Sequence, residues 1–188
     1  LYKGNNEFIS LNDLYPTFEY FNTESKRHYT IPVPENLVAR IDWRSVASRI
    51  NDSLFVLSGK EKGFYFISYN TRKQTFYFDP ELRFANYNCK AFLVDKDNRL
   101  WIGTNKGIFK QKNENGIIES YIIPPALYHD SLDVNFKVIN VINDKLYAGS
   151  TEGLFIFNME KRQATHRFNF ENYSAGSKNI MSLVPLNK

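Results

Sequence analysis

What the chain lacks narrows it first. Its 188 residues include one cysteine, two methionines, two tryptophans and three histidines. A lone Cys89 cannot close an internal disulfide, and a buried, inert thiol on a strand is its plainest reading. Scarce histidine leaves little for a metal centre: His28, His129 and His166 stand far apart, without ligand spacing to carboxylates or to the cysteine. Neither a metal nor a cofactor is expected. Apolar runs end after a few residues, too short for a membrane-spanning helix, and no 3.6-residue periodicity is sustained. The chain opens at Leu1 with neither a methionine nor a basic-then-apolar leader, which points to a processed or excised piece. Charge of one sign is also sparse. A net charge of +4 aids solubility and falls short of a nucleic-acid footprint. The pairs Lys26-Arg27, Arg72-Lys73 and Lys161-Arg162 read as solvated turn residues.

What is present is aromatic and repetitive. Phe, Tyr and Trp make up 16% of the chain, and flat rings favour strands, where they pack on a pleated surface. Glycine numbers nine, and six of the nine belong to one recurring device. Leu100 to Lys110 reads LWIGTNKGIFK, Leu146 to Ile156 reads LYAGSTEGLFI and Val56 to Phe66 reads VLSGKEKGFYF. The glycine pairs are Gly59 and Gly63, Gly103 and Gly107, Gly149 and Gly153, so the first glycines stand 44 and then 46 residues apart. That period suits propeller blades or helical repeats. Short apolar runs broken by Gly and Asn clusters select strands and hairpins. Each device predicts two strands joined by a three-residue polar link bracketed by glycines. No helix start follows Gly107 or Gly153, which excludes a phosphate-cradling loop.

In chain order, residues 1–12 match 146–158 in degenerate form, and Thr17 to Asn22 reads as a strand. Thr23 to Asn36 reads as a loop, because Pro32 and Pro34 cannot serve a central strand. The expected organisation is all-β, a β-propeller of four-stranded antiparallel blades: a blade part at 1–36 supplying strands two to four, blades at 37–87, 88–134 and 135–174, and the first strand of a further blade at 175–188. One such sheet buries neither face alone, so each needs a neighbour on both sides. The count permits a four-bladed ring closed by the split unit. A section of a larger propeller is preferred, with two apolar blade faces left to be covered by remaining blades or by a second copy in a homodimer.

Catalytic chemistry is hard to find. His129-Asp130-Ser131 holds triad residue types, but adjacent residues cannot form one relay. Asp95-Lys96-Asp97-Asn98 resembles the start of a calcium loop without its glycine or terminal glutamate, so a plain hairpin turn is preferred. A propeller enzyme such as a lyase or lactonase would line its axis with His and carboxylates. The expected innermost strands offer Lys90, Phe92, Lys137, Val138 and Met181 instead. An interaction scaffold stays open as a further alternative.

The copy at Leu100 to Phe109, with Leu100, Trp101, Gly103, Thr104 and Gly107 preceded by an acidic turn, resembles the two-component regulator propeller repeat. A second copy keeps Leu146, Gly149 and Gly153, with Tyr147 for the tryptophan and Ser150 for the threonine, and Asn98 stands where that repeat has glycine. The resemblance implies a section of a seven-bladed propeller in the periplasmic sensor of a hybrid two-component histidine kinase. It also implies recognition of a glycan-derived ligand that controls polysaccharide-utilisation genes. On this reading the segment is not an enzyme, contacts neither nucleic acid nor membrane, and takes an oligosaccharide. Links between units would carry the ligand site. Trp43, Arg44, Arg83, Tyr87, Tyr128 and His129 lie there, offering rings for stacking on sugars and cations for carboxylate or sulfate groups.

Overall fold

A computed structural model describes residues 2–4, 7–12, 17–42, 45–70, 72–73, 75–111, 118–127, 134–169 and 179–184. The chain is all-β and divides into two compact units, Leu1–Asn86 and Tyr87–Lys188. Each holds two four-stranded antiparallel sheets whose strands lie side by side in chain order. Sheet I comprises β1 (Tyr2–Gly4), β2 (Glu7–Asn12), β3 (Thr17–Asn22) and β4 (Arg27–Pro32). Sheet II comprises β5 (Ala47–Arg49), β6 (Leu54–Ser58), β7 (Phe64–Asn70) and β8 (Thr75–Phe78). Sheet III comprises β9 (Cys89–Val94), β10 (Leu100–Thr104), β11 (Gly107–Gln111) and β12 (Ile118–Tyr121). Sheet IV comprises β13 (Phe136–Ile142), β14 (Lys145–Ser150), β15 (Gly153–Asn158) and β16 (Gln163–Phe168). This is propeller-blade architecture.

Segment 1–36 departs from expectation. It carries four strands rather than strands two to four of a blade, and Arg27–Pro32 is a strand, not a loop. Pro32 is tolerated because β4 is the outermost strand and Pro32, opposite Thr17, is its last residue. A better landmark than the glycines is the asparagine that ends the third strand of sheets I, II and IV, where sheet III has Gln111. The Asn22 side-chain oxygen accepts the Ser25 amide at 2.7 Å, that of Asn70 accepts Arg72 and Lys73 at 3.1 and 3.0 Å, and that of Asn158 accepts Lys161 at 2.7 Å. These Asx turns start the outer hairpin of sheets I, II and IV. Two of them close through a positive φ, 54° at Lys26 and 52° at Arg162.

The glycine device is also corrected. In sheet II the expected three-residue link holds: Ser58 pairs with Phe64, and the Gly59 amide donates to the Gly63 carbonyl at 3.0 Å across Lys60-Glu61-Lys62. In sheets III and IV the link has two residues, since Thr104 pairs with Gly107 and Ser150 with Gly153. The Thr104 hydroxyl donates to the Gly107 carbonyl at 2.9 Å and accepts the Lys106 amide at 3.0 Å. Ser150 repeats both bonds at 3.0 Å, which explains why Ser replaces Thr without loss. Gly103 and Gly149 therefore sit within strands. A Cβ at Gly103 would lie 2.9 Å from the Cβ atoms of Ala91 and Phe136, so glycine here permits the first strand of sheet IV to approach.

Each unit has its own core. In the first, Ile9, Phe18, Tyr20 and Ile31 of sheet I pack with Phe55, Leu57, Tyr65, Ile67, Tyr69 and Phe78 of sheet II, and the short helix α1 (Glu35–Val38) adds the fully buried Leu37. Tyr29 stacks on Tyr20 at 4.4 Å, and its hydroxyl meets that of Tyr69 at 2.6 Å. In the second unit, Ala91, Trp101, Ile108 and Tyr121 of sheet III interlock with Phe136, Leu146, Ala148, Phe155 and Phe157 of sheet IV. Beyond β12 the Ile122 amide donates to the Arg162 carbonyl at 3.0 Å and its carbonyl accepts the Ala164 amide at 2.9 Å, stitching the outer edges together. Pro125–Leu127 then forms a 3-10 turn. In the segment expected to begin a further blade, residues 179–184 carry no strand, but the Ile180 amide donates to the Ser150 carbonyl at 2.9 Å.

Candidate ligand-binding site

Of the six residues expected on the links, Trp43, Arg44, Tyr128 and His129 lie outside the described residues. Arg83 is placed after β8, where its backbone forms a bridge with Phe64. Its guanidinium reaches Asp79 at 3.1 Å and Glu81 at 2.7 Å and lies 4.8 Å from the centre of the Phe66 ring, while its buried Nε has no protein partner. Two local carboxylates thus balance the cation, which weakens the case for a free anion receptor. Tyr87 is half-buried with its ring edge on Phe109 at 5.0 Å, and its carbonyl accepts the Cys89 thiol at 3.7 Å. Cys89 is 1% exposed.

The link end of the second unit holds polar residues that the sequence reading passed over. The Asn88 amide donates to the Asn105 side chain at 2.9 Å, and the Asn135 amide donates to the Thr151 hydroxyl at 3.1 Å. The side-chain oxygens of Asn88 and Asn135 are both buried without a protein donor. Both residues immediately precede an innermost strand. The signal was an Asn-x-Lys triplet, repeated at 88–90 and 135–137. Arg167 clamps the neighbouring hairpin by donating to the Glu152 carbonyl at 3.0 Å and to its carboxylate at 3.1 Å.

A second missed cluster lies on sheet I. Phe8, Phe21 and His28 form one cross-strand row, and Glu19 faces Thr30 in the next. His28 stacks on Phe21 at 4.6 Å and contacts the Glu19 carboxylate at 2.9 Å, which also accepts the Thr17 and Thr30 hydroxyls at 3.1 Å. The His28 bond does most to hold the Glu19 carboxyl below its ordinary range; partial burial opposes it and the two hydroxyls assist. This cluster exists only because 27–32 is a strand, so it was invisible while that segment read as a loop.

The densest polar network is structural. Asp95 accepts the amides of Asp97 and Arg99 at 3.0 Å, the Arg99 Nε at 2.9 Å and the Trp101 indole N–H at 2.9 Å. Burial pushes its carboxyl up, but the donors, Trp101 foremost, outweigh burial and leave it below its ordinary value. Protein donors thus occupy both carboxylate oxygens, and Asn98 supplies the left-handed conformation at φ 57° where the resembled repeat has glycine. The turn is a plain hairpin.

No family model matches the chain, and no curated protein does. Solved structures do. The extracellular domain of a putative hybrid two component system from B. thetaiotaomicron aligns at TM-score 0.60 and 15% identity over 94% of this chain and 22% of that one. A second such domain from the same organism gives 0.59 and 15% over 96% and 23%. PorZ, a surface component of the type-IX secretion system of Porphyromonas gingivalis, gives 0.62 and 15% over 88% and 26%. The chain thus spans about a quarter of the length of these structures. At such identity the likeness is one of fold, that of the four-stranded sheets described above.

Proposed function

We propose that this chain is a ligand-sensing section of β-propeller in the periplasmic part of a hybrid two-component sensor, the sensor region of an inner-membrane protein. The observation that supports it is the likeness of the blade architecture to extracellular domains of putative hybrid two component systems, together with the resemblance of LWIGTNKGIF to the two-component regulator propeller repeat. Among the described residues no helix is long and apolar enough to cross a membrane, and no three His, Cys, Asp or Glu side chains gather as a metal site. In this reading the segment binds rather than catalyses. Its ligand is a glycan-derived oligosaccharide, the response is transcription of polysaccharide-utilisation genes, and a histidine kinase elsewhere in the same protein transmits it. The ligand meets the links between sheets, with Trp43, Arg44, Arg83, Tyr87, Tyr128 and His129 as candidates.

A thermal-shift screen against acidic and neutral oligosaccharides tests the reading. A dose-dependent rise in Tm with one class is expected, lost when all six residues are replaced by alanine. A flat response of the full-length protein across the panel removes it. The likeness to PorZ favours a second reading, a surface scaffold for protein partners, which predicts that flat response.

A further inference from the structure

Sheets III and IV share an irregularity at the start of their innermost strands. In sheet III, Cys89 pairs with Thr104 and Ala91 with Gly103, so Lys90 has no residue opposite it. In sheet IV, Phe136 pairs with Ser150 and Val138 with Gly149, which leaves Lys137 in the same position. Each lysine is the extra residue of a β-bulge. The matching strand of sheet II is regular: Ala47, Ser48 and Arg49 oppose Leu57, Val56 and Phe55 in unbroken register, and Val46 exchanges hydrogen bonds with Ser58 just before them. A bulge breaks the alternation of an edge strand and re-aims a side chain. Here that side chain is twice a lysine, and both are half-buried.

The two bulges lie together. A Cβ on Gly103 would stand 2.9 Å from the Cβ atoms of both Ala91 and Phe136, the chain neighbours of Lys90 and Lys137. The backbone just ahead of each is pinned to the hairpin link of its own sheet, since the Asn105 amide donates to the Asn88 carbonyl and the Thr151 amide to the Asn135 carbonyl, both at 3.2 Å. The side-chain oxygens of Asn88 and Asn135 are buried without a protein donor, so each bulge is preceded by an acceptor. Lys106 adds an exposed cation on the sheet III link, whereas Glu152 on the sheet IV link is held by Arg167 at 3.1 Å. Positive charge thus predominates among the described residues of this end.

We propose that Lys90 and Lys137 form an oxyanion site at the link end of sheets III and IV, which takes the carboxylate or sulfate group of an acidic oligosaccharide. Two ammonium groups carried on pinned strands meet such a group with little ordering left to do, and the asparagine oxygens suit the hydroxyls beside it. That the anion belongs to a sugar rests on the proposed sensing role; the anion site itself rests on strand register and on the repeated lysine.

Lysine NMR tests it. Dimethylation with ¹³C-formaldehyde keeps the charge of each lysine, and Lys90→Gln and Lys137→Gln each identify a signal by its loss. Sodium sulfate and sodium glucuronate are titrated in, with sodium chloride at matched ionic strength and glucose as controls. The Lys90 and Lys137 signals should follow one saturation curve, at least about tenfold tighter than the response of Lys96 and Lys145, which are exposed at the opposite end of the same sheets. Lys90→Gln should weaken the response at Lys137 by about tenfold; Lys137→Gln reports the same coupling at Lys90 if the first variant folds poorly. The tighter of the two salts names the group as sulfate or carboxylate. Responses that merely track Lys96, or a Lys137 curve unchanged in Lys90→Gln, overturn the proposal. Saturation by either salt beside a flat oligosaccharide panel supports the anion site and removes only the sensing reading.

Discussion

Between its second and third strands, sheet II makes a three-residue link framed by Gly59 and Gly63, whereas sheets III and IV make a two-residue link closed by the hydroxyls of Thr104 and Ser150. The spacing of glycines is identical, and the work they do is not. At Gly59 a Cβ would strike the Lys62 carbonyl, an atom of an exposed turn. At Gly103 it would strike the Cβ atoms of Ala91 and Phe136, which are fixed by their backbones in the packed interior. The later glycines agree in all three sheets. Gly63, Gly107 and Gly153 have φ of 70°, 128° and 109°, and each lies against a carbonyl of the outer segment, that of Arg83, Tyr121 or Phe168. One spelling therefore covers a turn residue, a packing gap and a close backbone approach.

Alanine at these positions separates the three roles. Gly153→Ala combines a disfavoured φ with collision on the Phe168 carbonyl and should cost roughly 3–5 kcal/mol. Gly103→Ala is overpacking alone, about 2–3 kcal/mol. Gly59→Ala would press its Cβ on the Lys62 backbone carbonyl, but Lys60, Glu61 and Lys62 are exposed and can shift outward, so about 1–2 kcal/mol is expected. Urea midpoints at neutral pH should rank in that order. Equal losses at 103 and 59 would mean that the first glycine has one role after all.

Strands were legible because short aromatic and apolar runs between turn residues admit little else, and the second and third strands of sheets II, III and IV fall on the three glycine-bracketed runs. Sheet I was misread for a physical reason. Its glycine signal is degenerate, while Asn22, which matches Asn70 and Asn158 in bonding, is one of many asparagines and carries no meaning until its turn is seen. Pro32 misled because a proline excludes a central strand, and nothing in the sequence says that β4 is outermost. The site was less legible still. Arg83 looked like a free cation, although Asp79 and Glu81, four and two residues before it, could have been read as its local partners.

The first hairpins, between the first and second strands, sharpen the contrast between sheets III and IV. In sheet IV, Asn143 and Asp144 both adopt positive φ, 49° and 59°, and form a two-residue turn from backbone alone. In sheet III the Asp95 carboxylate organises the turn and anchors Trp101. Asp95→Ala leaves the buried indole N–H without its acceptor and should cost about 2–3 kcal/mol, against about 1 for Asp144→Ala, where only the tolerance of aspartate for the left-handed conformation is lost. The pH dependence follows from the lowered Asp95 pKa. Ionised Asp95 favours the fold, so its contribution is complete above the ordinary carboxyl value of 3.8 and is lost as pH falls through the lower folded value. The advantage of wild type over Asp95→Asn in urea should therefore hold from neutral pH to about 4 and shrink below it. An advantage that grows on acidification would assign the network to the protonated acid.

The smallest effects concern the outer turns. Asn22, Asn70 and Asn158 each accept turn amides at exposed sites, so alanine at each removes hydrogen bonds that water partly replaces, about 0.5–1 kcal/mol apiece. The three differ in what the turn holds. The turn after Asn158 carries Arg162, which pairs with Glu119 of sheet III at 2.8 Å and offers its carbonyl to the Ile122 amide at 3.0 Å. The turn after Asn22 ends at Lys26, which is exposed. Asn158→Ala should thus fall at the top of that range and also speed amide exchange at Ile122, while Asn22→Ala leaves exchange beyond β4 unchanged. Unaltered exchange at Ile122 in Asn158→Ala would show that the stitch between the outer edges of sheets III and IV is held by the strands themselves and not by the asparagine turn.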